Sequence, residues 1–152
     1  MQHPARGASL LEMLLVIALI AAISVLAAAA LGGGIQGMQL RSAAKSVAAQ
    51  LRYTRTQAIA TGTPQRFTLD PQAHAWTAPN GRKGEIPPAL RVTFTGAREV
   101  QPTRGEGAIV FFADGASTGG RVQLSARSAV WNIDVAWLTG EVRMRRAAGA
   151  AQ

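Results

Sequence analysis

A chain of 152 residues has room for one compact domain and an anchor, not for two domains. It has no cysteine, which excludes disulfides, thiolate nucleophiles and cysteine-ligated zinc. The formal charge of +8, almost all from arginine, suits anionic partners and equally suits plain solubility, so charge alone decides nothing.

In chain order, Met1 to Gly7 (MQHPARG) is a polar leader with one formal positive charge, Arg6. The apolar run Met13 to Leu31 follows, with Ser24 as its only polar residue. At ~1.5 Å per residue it spans roughly 28 Å, close to the hydrocarbon thickness of a bilayer. Small residues such as Ala28 and Ala30 could end a secretory signal peptide, but the run exceeds the usual apolar region of about 7–15 residues. Glu12, at its start, is costly to bury in lipid and needs a reason. A plain uncleaved single-span anchor stays open, because Arg6 on one side and Arg41 and Lys45 on the other do not fix orientation.

Gly32-Gly33-Gly34 makes a weak junction, a candidate hinge. Beyond it Leu40, Ala44, Val47, Leu51, Ala58 and Ile59 recur at helical steps, with Arg41, Lys45, Arg52 and Arg55 largely off the stripe. This predicts an amphipathic helix stopping at Thr61-Gly62-Thr63-Pro64. The period then becomes two. Phe67 and Leu69, Val92 and Phe94, Val122 and Leu124, Trp131 to Trp137, and Val142 and Met144 alternate with polar neighbours, the pattern of antiparallel strands with one buried face. Leu138 to Glu141 reads as a tight hairpin turn, and Ile109 to Phe112 as a central strand. Pro79 to Pro88 and Gly96 to Gly107 read as exposed loops, and the tail after Arg146 as frayed.

Chemistry is thin. His3 lies in the leader, which leaves His74 as the one histidine of a mature form. A histidine metal cluster is thereby excluded, and no motif supports a Ser-His-Asp arrangement. In Ala73-His74-Ala75-Trp76 the two larger side chains are expected to share a strand face. Asp70, Asp114 and Asp134 fall at turns or on polar strand faces rather than at ligand spacing. Asp114 to Gly120 resembles a phosphate loop only loosely, lacking the lysine and the following helix, and a wide turn is expected. The expectation is no enzyme, no metal and no cofactor.

The stretch from Arg6 to Ile17 (RGASLLEMLLVI) resembles the class III leader of type IV pilins and pseudopilins. The resemblance implies cleavage between Gly7 and Ala8 by a prepilin peptidase, N-methylation of Ala8, and Glu12 at the fifth mature position. There its carboxylate would pair with a neighbouring subunit's amine during filament assembly. Ala8 departs from the family's usual phenylalanine. Leu51 to Ile59 (LRYTRTQAI) is similar to the helix end shared by H-type minor pseudopilins of type II secretion and FimT-type minor pilins. Phe111 to Gly120 and Val135 to Val142 are similar to the H-type pattern. The implied class is α+β, a long hydrophobic N-terminal helix packed on a small antiparallel two-sheet sandwich. Its expected divisions are a leader 1–7, an assembly helix 8–31, an amphipathic continuation 32–63, a head 64–146 and a disordered tail 147–152.

Two functions follow from the resemblance. In the first, a minor pseudopilin joins a short periplasmic pilus near its tip and helps export folded proteins, with the anchor in the bacterial inner membrane. Its partners are then other minor pseudopilins, the major pseudopilin and the prepilin peptidase. In the alternative, a FimT-type minor pilin binds DNA for natural transformation, with Arg143, Arg145 and Arg146 touching nucleic acid or an acidic partner.

Overall fold

The computed structural model describes residues 9–96 and 105–148. The chain divides into two compact units, Met1–Ile35 and Gln36–Gln152. Helix α1, Leu10–Thr61, carries residues of both. Ser9 precedes its first turn, and its carbonyl accepts from the amides of Glu12 (2.9 Å) and Met13 (3.1 Å). The helix ends where a left-handed glycine follows, Gly62 at φ 65°, as the glycine-proline stop predicts.

In the second unit the described strands are β1 Gln65–Asp70, β2 Ala75–Ala78, β3 Arg82–Glu85, β4 Arg91–Gly96, β5 Gly107–Phe111, β6 Gly120–Ala126, β7 Ala129–Val135 and β8 Val142–Ala148. They form two antiparallel sheets, ordered β3-β2-β1-β5 and β4-β6-β7-β8. Alternation sets their inner faces. Phe67 and Leu69 of the first sheet and Val122, Leu124 and Ile133 of the second are buried, together with Leu40, Ala44, Val47, Leu51 and Ala58 of α1. The expected α+β class, a helix packed against two sheets, is what forms. Thr54 completes the helical stripe, since its hydroxyl bonds the Gln50 carbonyl at 2.8 Å and so can be fully buried.

Several expectations fail for identifiable reasons. Pro79 to Pro88 is not all loop, because Arg82–Glu85 pairs with β2. That pairing depends on Gly84, where a Cβ would run into the Trp76 ring. His74 does not share a strand face with Trp76; it sits in the preceding turn at φ 52°. The strand at Ile109 is an edge strand, not a central one. Its edge is closed by the following loop, in which the Thr118 amide donates to the Val110 carbonyl and the Thr118 hydroxyl accepts from the Val110 amide. Ile59 is half exposed, and Trp137 lies beyond β7 on the surface. The turn at Leu138 to Glu141 is present but wider than a two-residue hairpin, closed by the Ala136 amide on Glu141 and the Gly140 amide on Ala136. Strand β8 runs on to Ala148, into the segment expected to fray, and most of Gly96 to Gly107 lies outside the described residues.

Leu51 is fully buried between helix and sheets. Leu51→Ala is expected to cost about 2–5 kcal/mol, read as a lower urea midpoint with an unchanged slope. The helix is continuous through Gly32 to Gly34, and a Cβ at Gly34 meets nothing within 4 Å. Gly34→Ala should therefore act on the backbone alone, stabilising the helix by ~1 kcal/mol and slowing local amide exchange about fivefold.

Candidate functional site

Residues from Leu10 to Ala27 form a helix long and apolar enough to cross a bilayer, and none of it is buried within the protein. Large side chains on every side of it are exposed, including Leu11, Leu15, Leu19, Ile23 and Leu26. A helix apolar all round is suited to lipid or to other helices, not to water. Glu12 lies in its first turn, three residues after Ser9, where a carboxylate also favours the positive end of the helix dipole. The expected cleavage and methylation positions, Gly7 and Ala8, lie outside the described residues.

The head is fastened by the segment Leu51 to Ile59, and each of its side chains has a direction. Leu51, Thr54 and Ala58 face the core. On one flank the Asn80 amide donates to the Tyr53 hydroxyl at 2.8 Å, and the Arg82 guanidinium lies 4.2 Å over the Tyr53 ring, tying α1 to the β2–β3 turn. On the other flank Arg52 donates to the Val142 carbonyl at 3.1 Å, and Arg55 Nε donates to the Gly115 carbonyl at 3.0 Å. Gly115 in turn packs against Gly140, whose φ is 62° and where a Cβ would fall on the Gly115 carbonyl oxygen. Buried Ser117 completes this junction: its amide donates to the Trp137 carbonyl and its hydroxyl to that of Ala136. Of the segments that resemble the pilin family, the three in the second unit thus meet at one end of the sandwich.

Outward-facing residues of the second sheet are polar. Thr95, Arg121, Asp134 and Arg143 form one rung across it, and Thr93, Gln123, Asn132 and Arg145 the next. Asp134 accepts from Arg121 Nε and, at 2.8 Å, from Arg145. Partial burial pushes its carboxyl up, but the hydrogen bonds and charges of Arg145 and Arg121 outweigh this and hold it below the usual carboxylate range. Glu141 pairs with Arg143 at 2.7 Å, and that hydrogen bond lowers the acid and raises the guanidinium.

The three arginines singled out in the sequence are therefore not one bare cationic cluster. Arg143 and Arg145 are ion-paired on the outer face, while Arg146 has the opposite parity, across from Trp131. Of the acids, Asp70 accepts from the amides of Gln72 and Ala73, and Asp114 from that of Ala116, so both shape turns. No group of three or more potential metal ligands occurs among the described residues. The wide turn expected at Asp114 to Gly120 is present between β5 and β6.

An uncovered apolar helix and a helix-on-two-sheets head define a membrane-anchored protein of pilin-like fold. The solved minor pseudopilin EpsH of the Vibrio cholerae type II secretion system shares this fold, with a TM-score of 0.54 at 13% identity, covering 74% of this chain and 99% of that one. The type IV minor pilin FimU of Pseudomonas aeruginosa does so too, with a TM-score of 0.54 at 14% identity over 70% of this chain and 87% of that one. The family model for type II transport protein GspH matches residues 43–140. A protein named type II secretion system protein H, from Xanthomonas campestris pv. campestris, is 70% identical over 138 residues, covering 91% of this chain and 82% of that protein. The chain belongs to the GspH family, the H-type minor pseudopilins of type II secretion. The FimT-type reading is not favoured, since the family match and this relative point to secretion and the resemblance to FimU is one of fold alone.

Two outcomes test this geometry. Gly140→Ala is expected to destabilise the head by about 1–3 kcal/mol, through its left-handed backbone and the clash with Gly115. Because the Asp134 carboxyl is lowered in the folded state, its contribution is present above the unfolded pKa and is lost as pH falls through the folded one. Urea midpoints of wild type and Asp134→Asn should differ near neutrality and converge toward about pH 2.

Proposed function

We propose that this chain assembles into a short periplasmic pilus, near its tip, and helps move folded proteins across the outer membrane. The helix crosses the bacterial inner membrane once, with the head in the periplasm. A prepilin peptidase removes residues 1–7 between Gly7 and Ala8 and methylates the amine of Ala8. Residues 8–31 then serve as the assembly helix, 32–63 as its continuation and 64 onward as the head. The other minor pseudopilins and the major pseudopilin are its partners. Its role is structural, with ATP hydrolysis left to a separate cytoplasmic motor.

The observation that carries this reading is the uncovered helix with its one early acid. The buried core of the head is made of residues from Leu40 on, and Leu10 to Ala27 form an apolar helix of which none is buried. Packed among like helices, an unpaired Glu12 would be costly unless a cation lies opposite, and a neighbouring subunit's amine supplies that cation. The 70% identity to a protein named for type II secretion supports the same reading.

In a strain lacking the gene, exported enzymes should accumulate in the periplasm and return to the medium on complementation. Glu12→Gln should leave membrane insertion intact and abolish both incorporation into the pilus and export. Normal secretion by that variant would remove Glu12 from the assembly role.

A further inference from the structure

We propose that the groove across the end of the second sheet, walled by Trp137, is the docking site for an acidic segment on the head of another pilin-like subunit of the same apparatus. This rests on the secretion reading above and names the surface through which the head would act.

The groove has a volume of about 850 Å³ and is open to solvent. Its floor crosses the strands, through Arg121 on β6, Asp134 on β7 and Arg143 and Arg145 on β8, and Glu141 lies at its rim. An occupant would lie across the strands rather than extend the sheet.

Trp137 is 66% exposed, unusual for the largest side chain in a small head. Its backbone is nevertheless held firmly. Its carbonyl accepts from the Ser117 amide at 2.8 Å, and its Cβ lies 3.0 Å from where a Cβ at Gly119 would stand. An aromatic side chain on a fixed backbone loses little freedom on binding, and tryptophan is among the residues that most often dominate interfaces.

Charge selects the occupant. The three arginines and two acids leave one net positive charge, and both acids are already bonded to arginines. Two guanidiniums share the single Asp134 carboxylate, so donors remain for a further acceptor. A carboxylate reaching the remaining donors of Arg121 or Arg145 would extend the network that Asp134 begins, whereas a cation would meet two arginines. Polyphosphate is disfavoured for the opposite reason. Each phosphate needs a bare cation, and here Asp134 and Glu141 would face the strand. A mixed-charge surface with an aromatic anchor is the chemistry of a protein partner.

The test uses the full-length chain in detergent, co-produced with each other pilin-like subunit of the apparatus one at a time, with complex formation measured by co-purification and titration. One subunit is expected to bind, less tightly as salt rises. Trp137→Ala should weaken it about tenfold while melting close to wild type, and Arg121→Ala with Arg145→Ala should weaken it about tenfold while lowering stability no more than Asp134→Asn does. Arg143→Glu should be rescued by an acid-to-lysine change in the partner. The proposal is overturned if no subunit binds, if both variants bind as wild type does, or if a DNA duplex takes the groove in a Trp137-dependent way. Variants that bind normally, in a strain whose gene deletion still blocks export, would remove the groove and keep the secretion role. Export untouched by the deletion would remove both.

Discussion

The head depends on one stripe of one helix. Leu40, Ala44, Val47, Leu51, Thr54 and Ala58 are all fully buried, and the inner faces of two sheets share a core with them. Neither sheet could form a stable layer alone, since four short strands with one apolar face need something to cover it. Alanine at Ala44 and Ala58, and at buried Ala48 beside them, brings the strands close to the helix. The same helix runs on toward its N-terminus without such an asymmetry, apolar on all sides. One element thus meets two environments, and the change in its side-chain pattern near Gly32 to Gly34 is where one gives way to the other.

Much of this was legible because it is local. Period-two alternation located β1, β4, β6, β7 and β8, and helical spacing located the buried stripe. What escaped was set by contacts distant in sequence. Strand β3 is a run of Arg-Lys-Gly-Glu with no apolar face, and it exists because Gly84 makes room for Trp76. Strand β5 reads as central because it is apolar throughout, yet a loop rather than a strand covers its edge. Ile59 and Trp137 continue apolar patterns past the point where the fold has anything to bury them against. Alternation describes a strand but cannot say where its partner ends.

The candidate site divides in the same way. Glu12 was conspicuous as an acid at the head of an apolar run, and its chemical oddity is independent of the fold. The arginines near the C-terminus were conspicuous only as charge. Their spacing set Arg143 and Arg145 on one face, but their partners, Glu141 and Asp134, could be assigned only once strand register was known. Trp137 continues the alternation of a buried face, yet it is the most exposed aromatic side chain among the described residues.

Register also changes what the net charge means. A formal +8 invites a polyanion, but several of the arginines behind it act as structural donors. Arg52 and Arg55 reach backbone carbonyls that close the sandwich onto α1, Arg82 stacks on Tyr53, and Arg121 and Arg145 share one carboxylate. Each use suits a planar fork of donors that stays protonated, stacks on a ring and bonds two acceptors at set angles. A lysine would keep the charge and lose that geometry. At these five positions the preference for arginine is accounted for inside the fold. Beside the uncovered Trp137, Arg121 and Arg145 keep donors that Asp134 does not use.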